Sequence, residues 1–537
     1  MLNTVQAAGR SANQSTYLLD LPSELLLYIL SFLSARDLLA FRHICKEGNA
    51  ISRDHAIWLE ILRWQRDTLP LPPIARDNTS LVSLDTSTLE DLVVSAAKSS
   101  ENWLKPRKRT LHLGGTPDEH SDILYLDVLL DQFVLCVHSN GSILVWRADN
   151  TTRDEAPASS WQLWADEPFT SAYACADEAS KSVYVAVTRT QNPTHNGSTT
   201  SVVKVPLLFT SHSTTDPEEV TFFGAEGQIV RAIDPRRHLV AYSRISFIDL
   251  VHWPSMTAMS INTHTDDLEE LVSAWNGIIG LSFVNDRLLC IRARSLELYP
   301  ITFPFPERAR YFAPSSPEAV EPTLAATTTP LRPVAVHSFF RTNFRTLSLS
   351  SSYTTVLDGA VPTSETTLFL LGNDILRGVY QYRIDILDVV AQSEEPDPPP
   401  DLRVSLLSMY TRIDGFVVAV SLGPQGRRGA VIERTRSSTA RRVLAFTCPQ
   451  TMVSQSDALT TEDVIADRQP GESDEDKVEE EDEDPVTVSM RNMRPLDAID
   501  VYNVHSLDLR QDILHIAFSE VTGRIALGTR SGDVRLI

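Results

Sequence analysis

The densest set of side chains able to do chemistry is GRRGAVIERTRSSTARR, Gly426 to Arg442, with Arg427, Arg428, Arg434, Arg436, Arg441 and Arg442. Guanidinium forks match phosphate and carboxylate geometry, so this run reads as a seat for a phosphorylated or acidic segment. The chain carries such a segment itself. GESDEDKVEEEDEDP, Gly471 to Pro485, holds ten acids and one lysine, and pairing between the two is the preferred reading. A block of like charge repels itself and is expected to stay a disordered loop. Ser473, ahead of Asp474, Glu475 and Asp476, has an acidic-kinase setting, but a solvated tether is the preferred reading. Gly423, Gly426 and Gly429 form a loop rather than a phosphate cradle, because no helical pattern follows them.

Elsewhere the chain offers little chemistry. It has no GxxxxGK[ST], HExxH or GxSxG, and its 13 histidines are scattered. Cys45, Cys136, Cys175, Cys290 and Cys448 include no CxxC, which disfavours a disulfide framework and a zinc cage. No catalytic, cofactor-binding or metal-binding residue is assigned, and the chain is read as a non-enzyme with no cofactor.

Composition bounds the partners. The 537 residues are 42% hydrophobic and 22% charged, which suits globular protein. A net charge of −22 argues against nucleic acid, whose phosphates need Lys and Arg, and against an anionic membrane surface. No apolar run is long enough to span a bilayer, and MLNTVQAAGRSANQST lacks a signal-peptide core. An intracellular protein is expected, cytoplasmic and/or nuclear.

The elements that must position a binding surface begin at LPSELLLYILSFL, Leu21 to Leu33. Pro22 suits a helix start, and Leu25, Leu26, Ile29, Leu30 and Leu33 follow one helical face. Leu27, Tyr28 and Phe32 spread the apolar surface beyond that stripe, which implies burial on nearly all sides. Ser34 with Asp37 predicts an immediate second helix carrying Leu38, Leu39, Phe41, Ile44 and Cys45. A third helical segment is expected from about Ala50 to Arg63, with Asp54 capping part of it. So small a unit cannot hide that surface alone, and part of it reads as a docking face.

This stretch resembles an F-box, through Leu21-Pro22, Glu24-Leu25, Ile29, Leu33, Asp37-Leu38, Ile44-Cys45 and Trp58 after Asp54. One departure stands out: Gly48 occupies the place where the family often has an aromatic. The resemblance implies docking on the Skp adaptor of a cullin–RING ubiquitin ligase. It places Leu21, Pro22, Leu25, Ile29, Leu38 and Trp58 at or beside that contact, although each could serve as internal core instead.

Beyond the proline-rich TLPLPPIARDN, Ser87 to Glu90 reads as a capping box opening a helix to about Trp103. That element resembles one following the F-box in fungal F-box proteins, and its expected task is to hold the helical head against the next domain. KPRKR, Lys105 to Arg109, reads as a solvated linker in preference to an import signal.

From about Leu111 the pattern turns to strands. QFVLCVHSNGSILVWR has two β-rich runs around Asn140-Gly141, a hairpin signal. Pairs such as SVYVAVTRT with SVVKVPLLF, DRLLCIR with SLELYPI, and GRIALGT with DVRLI repeat it. About seven units at a spacing near 50 residues point to a β-propeller, with a pair of β-sandwiches as the alternative. RTLHLGG, Arg109 to Gly115, is expected to supply a missing strand to the last unit and join the ring's ends. Val145-Trp146 and SGDVRLI resemble elements of WD-repeat propellers.

The fold class expected is therefore a small α-helical F-box followed by a large antiparallel β-propeller of about seven blades. The divisions are a flexible tail at 1–16, the F-box at 17–65, a linker with one helix at 66–109, and the propeller at 110–537. The propeller carries the acidic insertion at about 454–490. The resemblance implies the substrate-recognition subunit of a Skp–cullin–F-box ligase, the propeller presenting an unidentified protein target. The alternatives are a non-ligase F-box/propeller scaffold and a propeller enzyme with a helical appendage.

Overall fold

The computed structural model describes residues 18, 21–76, 81–107, 109–114, 121–148, 159–163, 168–190, 198–207, 216–224, 229–244, 247–263, 276–301, 305, 310–311, 331–339, 342–357, 363–389, 400–411, 413–436, 438–450, 494–505 and 507–537. They form two compact units, Met1–Asn102 and Trp103–Ile537. The expected tail at 1–16 and the acidic insertion, with Ser473, lie outside the described residues. Among the described residues no helix is long and apolar enough to cross a membrane.

The first unit is helical: α1 (Ser23–Ser31), α2 (Ala35–Phe41), α3 (Lys46–Ile51), α4 (His55–Thr68) and α5 (Thr86–Trp103). Local chemistry sets most of the starts. Ser34 Oγ accepts the Asp37 N–H at 3.2 Å and donates to the Asp37 carboxylate at 2.6 Å, opening α2. Asp54 accepts the Ala56 N–H at 2.8 Å and opens α4. The third helical segment is thus two helices, split at Asp54. Cys45 caps α3 through its sulfur, which accepts the Gly48 N–H at 3.2 Å. A Cβ at Gly48 would stand 3.0 Å from the Phe41 carbonyl, so an aromatic there would force α2 and α3 apart.

The cap of α5 is a correction. Asp85 accepts the Thr88 N–H at 3.2 Å, so the helix starts ahead of Ser87. Glu90, the expected partner in the capping box, instead receives both Arg42 guanidinium nitrogens at 2.8 and 2.9 Å. The boundary at residue 65 also moves. Leu71, Ala75, Leu81, Leu89, Val93 and Ala96 share one buried core with Leu30, Leu38, Ile57, Trp58 and Leu62. Residues 66–102 complete the helical unit rather than linking it.

The second unit is a seven-bladed β-propeller. Its middle strands are apolar on both faces, as Val134 to Val137 and Ala430 to Ile432 show, because a blade is covered on both sides by its neighbours. The first blade comprises Ile123–Leu129, Phe133–His138, Ser142–Arg147 and Ser159–Gln162; the second Phe169–Asp177, Ser182–Thr190, Ser198–Pro206 and Glu218–Gly224. The third starts at Ile229–Asp234 and the fourth at Ile278–Val284. The fifth is enlarged: Tyr353–Leu357 joins its elongated second strand Thr363–Asp374, and Arg494–Pro495 pairs in parallel with Asp401–Tyr410. The sixth comprises Gly415–Leu422, Arg428–Thr435, Ala440–Thr447 and Ile499–His505.

The seventh blade has Ile513–Phe518, Ile525–Thr529 and Val534–Leu536, and its outer strand is Leu111–Gly114. Leu111 pairs with Leu536 and His112 with Arg535, so the expected closing strand is present. The innermost strands touch in sequence around the ring, the last against the first. Each of the seven junctions has its own buried apolar cluster, such as Val183, Val185 and Val187 against Leu135, Val137 and Val145. This arrangement excludes the β-sandwich alternative.

Trp103 anchors the start of the second unit. Its indole N–H donates to the Phe446 carbonyl at 3.1 Å, and its ring lies 5.0 Å from that of Phe518. Arg107, in the basic run read as a solvated linker, donates to the Gly523 carbonyl at 3.0 Å and is half-buried. That residue is part of the propeller's packing.

Candidate docking surface

Helix α1 is apolar on two opposite faces. Leu26 and Leu30 point inward and are almost completely buried, with Leu27 and Leu33 packed beside them. Leu25, Tyr28, Ile29 and Phe32 follow i, i+3, i+4, i+7 on the other side and face solvent, at 50, 64, 40 and 57% exposure. The neighbouring α4 adds Trp64, 60% exposed. The Tyr28 and Phe32 rings meet edge-on at 4.9 Å, and Phe32 meets Trp64 at 5.9 Å. The result is an aromatic and aliphatic strip, already ordered by its own ring contacts.

The six residues assigned from sequence divide in two. Leu25 and Ile29 lie on the exposed strip. Pro22 is exposed at the start of α1, where its carbonyl accepts the Leu25 and Leu26 N–H groups at 3.0 Å, and Leu21 precedes it half-buried. Leu38 and Trp58 are fully buried in the helical core. Trp58 donates its indole N–H to the Ser52 carbonyl at 2.9 Å, and the Arg42 guanidinium stands over its ring at 5.8 Å. These two support the strip from behind and are not on its surface. The assignment left out Tyr28, Phe32 and Trp64. Spacing from Leu25 marks the first two, whereas Trp64 joins only through the packing of α4 on α1.

The arginine-rich segment is largely structural. Arg428 is buried and donates to the Glu520 carbonyl at 2.6 Å, while Arg441, also buried, is ion-paired with Asp512. Arg442 pairs with Glu433 at 2.8 Å and Asp414 at 3.0 Å. The partners are therefore acids of the propeller body, and for these three residues neither a ligand nor the acidic stretch is required. The glycine loop does cradle an anion, but an internal one. The Gln425, Arg427 and Arg428 N–H groups donate to the Glu520 carboxylate at 2.5, 2.6 and 3.0 Å. Gly423 is glycine for that reason, since a Cβ would lie 2.3 Å from Glu520 Cδ.

A cleft of about 630 Å³ between the fifth and sixth blades is lined by Met409, Tyr410, Ile413, Asp414, Arg442 and Leu496. The Arg442 guanidinium in its lining is held by Glu433 and Asp414. Among the described residues no three His, Cys, Asp or Glu side chains gather as metal ligands.

Residues 18–63 match the F-box-like family profile. No curated protein sequence matches the chain. Among solved structures the chain is similar to that of U3-55K, at 10% identity over 81% of this chain and 99% of that one, with a TM-score of 0.40. It is also similar to the RRP9 WD40 repeats, at 9% identity over 81% and 98% with a TM-score of 0.40. The C-terminal WD40 domain of Sif2 gives 8% identity over 79% and 98%, with a TM-score of 0.33. The chain is an F-box-like helical unit followed by a seven-bladed propeller, and the blade count rests on the strand pairing above.

Proposed function

We propose that the chain is the substrate-recognition subunit of a Skp–cullin–F-box ubiquitin ligase. The observation that carries the reading is the outward strip Leu25, Tyr28, Ile29, Phe32 and Trp64, on an F-box-like unit whose core is complete without it. Exposed leucine, isoleucine and three aromatics in one place are costly in water and mark an interface. F-box domains generally bind a Skp adaptor, and the continuous aromatic and aliphatic strip supports placing that contact here. The propeller then supplies rigidly held loops for a protein target. The subunit does no chemistry itself. It raises the local concentration of a target lysine near a charged ubiquitin-conjugating enzyme, which is catalysis by tethering. Work in the cytoplasm or nucleus suits that role.

The test is co-purification of the full-length chain with the Skp adaptor, beside Leu25→Asp and Ile29→Asp. Adaptor held by wild type and lost from both variants, with unchanged circular dichroism, supports the reading. Wild type that fails to hold the adaptor sinks it.

A further inference from the structure

One end of the junction between the sixth and seventh blades carries charge opposite in sign to the rest of the chain. In register, Phe416 stands opposite Arg434, Arg434 opposite Arg441, and Arg441 opposite Val504, so these side chains share one face of the sixth blade. Arg441 reaches from that face to Asp512, which leads into the seventh blade, so the face looks toward that blade. At its end Arg436 stacks on Phe416, the guanidinium carbon 5.2 Å from the ring centre.

The opposite wall is the connection into the seventh blade. Leu507 and Leu509 are 88 and 64% exposed there. The Ser531 N–H donates to the Arg510 carbonyl, and the Arg530 N–H to the Asp512 carbonyl, both at 2.9 Å, which holds Arg510 and Arg530 on adjoining backbone. Arg434, Arg436, Arg510 and Arg530 are exposed and form no ion pair among the described residues. Of the nearby acids, Asp414 is ion-paired with Arg442; Asp508 and Asp533, which accept the Arg510 N–H at 2.9 Å and the Ser531 hydroxyl at 3.1 Å, keep their charge and offset the four arginines only in part.

Arginine interleaved with aromatic and aliphatic side chains is the composition of a binding hot spot. In a chain of net charge −22, four arginines without carboxylate partners attract an acidic occupant. They are spread along two walls, and Arg441, the guanidinium directly opposite Arg434, is already committed to Asp512. That cross-strand pair is therefore not free to grip one phosphate. Separate carboxylates along an extended strand, with apolar residues between them, meet the arrangement better.

We infer that this strip, Phe416, Arg434, Arg436, Leu507, Leu509 and Arg510 with Arg530 beside them, binds an extended protein segment in which unmodified Asp or Glu alternates with apolar residues. The inference builds on the receptor reading by naming the class of target segment.

The probe is a fluorescent peptide of about eight residues, leucine alternating with glutamate, long enough to run ~25 Å when extended. Its anisotropy is followed on the full-length protein. Expected are saturable binding that weakens as salt rises, and about tenfold or greater loss in Arg434→Gln/Arg510→Gln and in Leu507→Ser/Leu509→Ser. Arg403→Gln, at an exposed arginine of the fifth blade paired with Asp401, removes one positive charge away from the strip and leaves binding unchanged. No binding to wild type, an equal loss in Arg403→Gln, or affinities of the strip variants within about twofold of wild type would overturn the inference. So would binding restricted to a version with phosphoserine in place of glutamate. Adaptor co-purification on the same samples separates the two readings. Lost peptide binding with adaptor retained is the result expected of the strip variants. Wild type that holds the adaptor but not the peptide sinks the strip alone, and wild type that binds peptide but not adaptor sinks the ligase reading alone.

Discussion

Glu520 and Arg428 are joined twice across the junction of the sixth and seventh blades. The Glu520 carboxylate accepts the Arg428 N–H at 3.0 Å, and the Arg428 guanidinium donates to the Glu520 carbonyl at 2.6 Å. Burial pushes the Glu520 carboxyl up and the Arg428 guanidinium down to about 10, against the attraction between them. Removing one partner strands the other in the interior. Glu520→Ala is expected to destabilise the propeller by about 3–5 kcal/mol, read as a lower urea midpoint. Gly423→Ala should act in the same direction by displacing the carboxylate, and a midpoint equal to wild type would refute the cradle.

The strip on α1 and the core behind it should respond differently. Leu25→Asp is expected to leave the helical unit folded while losing the adaptor. Trp58→Ala removes a fully buried indole and is expected to cost about 3–5 kcal/mol, so adaptor binding is lost together with protease resistance of residues 21–102. Loss of that resistance in Leu25→Asp would place Leu25 in the core.

Glu90 is expected to tie α5 to the rest of its unit through Arg42. The pair is partly exposed, so the effect is smaller: Glu90→Gln should cost about 1 kcal/mol and raise amide exchange in α5 first. Uniform exchange across the unit would argue against that role.

Acid should weaken the propeller in a defined window. Burial pushes both His138 and His515 down to about 4. In the unfolded chain each titrates near its ordinary value of about 6.5. The folded state therefore binds fewer protons, and stability present above about pH 6.5 is lost as pH falls toward 4. The loss attributable to His138, which is fully enclosed, is at most ~3 kcal/mol. Urea midpoints at pH 7 and pH 4.5 should fall less in His138→Gln/His515→Gln than in wild type, and parallel falls would contradict the assignment.

The closing strand should matter to solubility as well as stability. A chain beginning at residue 115 leaves the outer edge of Val534–Leu536 unpaired and uncovers the cluster that Leu113 completes. It is expected to aggregate, whereas one beginning at residue 103 stays monodisperse by light scattering.

The sequence made the inner hairpins visible because they are local. Asn140-Gly141 turns between two apolar runs, with Gly141 at φ +89°, and both runs are buried on both faces. The outer strands were hidden. Ser159–Gln162 and Ala335–Ser338 are short and only partly apolar, and distant pairing alone defines them. In α1 periodicity could not say which face is inside, because Leu25 and Leu26 begin two apolar stripes. Arg428 and Arg441 misled for the opposite reason. Asp512 and Glu520 lie far along the chain from Arg441 and Arg428, so the pairs exist only in the folded ring.

The pairing of Leu111 with Leu536 also dictates an order of maturation. A ribosome releases the helical unit and the closing strand first, and that strand has no partner until Leu536 has emerged. Blades can form one after another meanwhile, but the ring cannot lock before Leu536 is free to pair. The helical unit is thus complete well before the ring, and under the proposed receptor role a nascent chain engaged early by the adaptor would enter its assembly with no closed ring to hold a target.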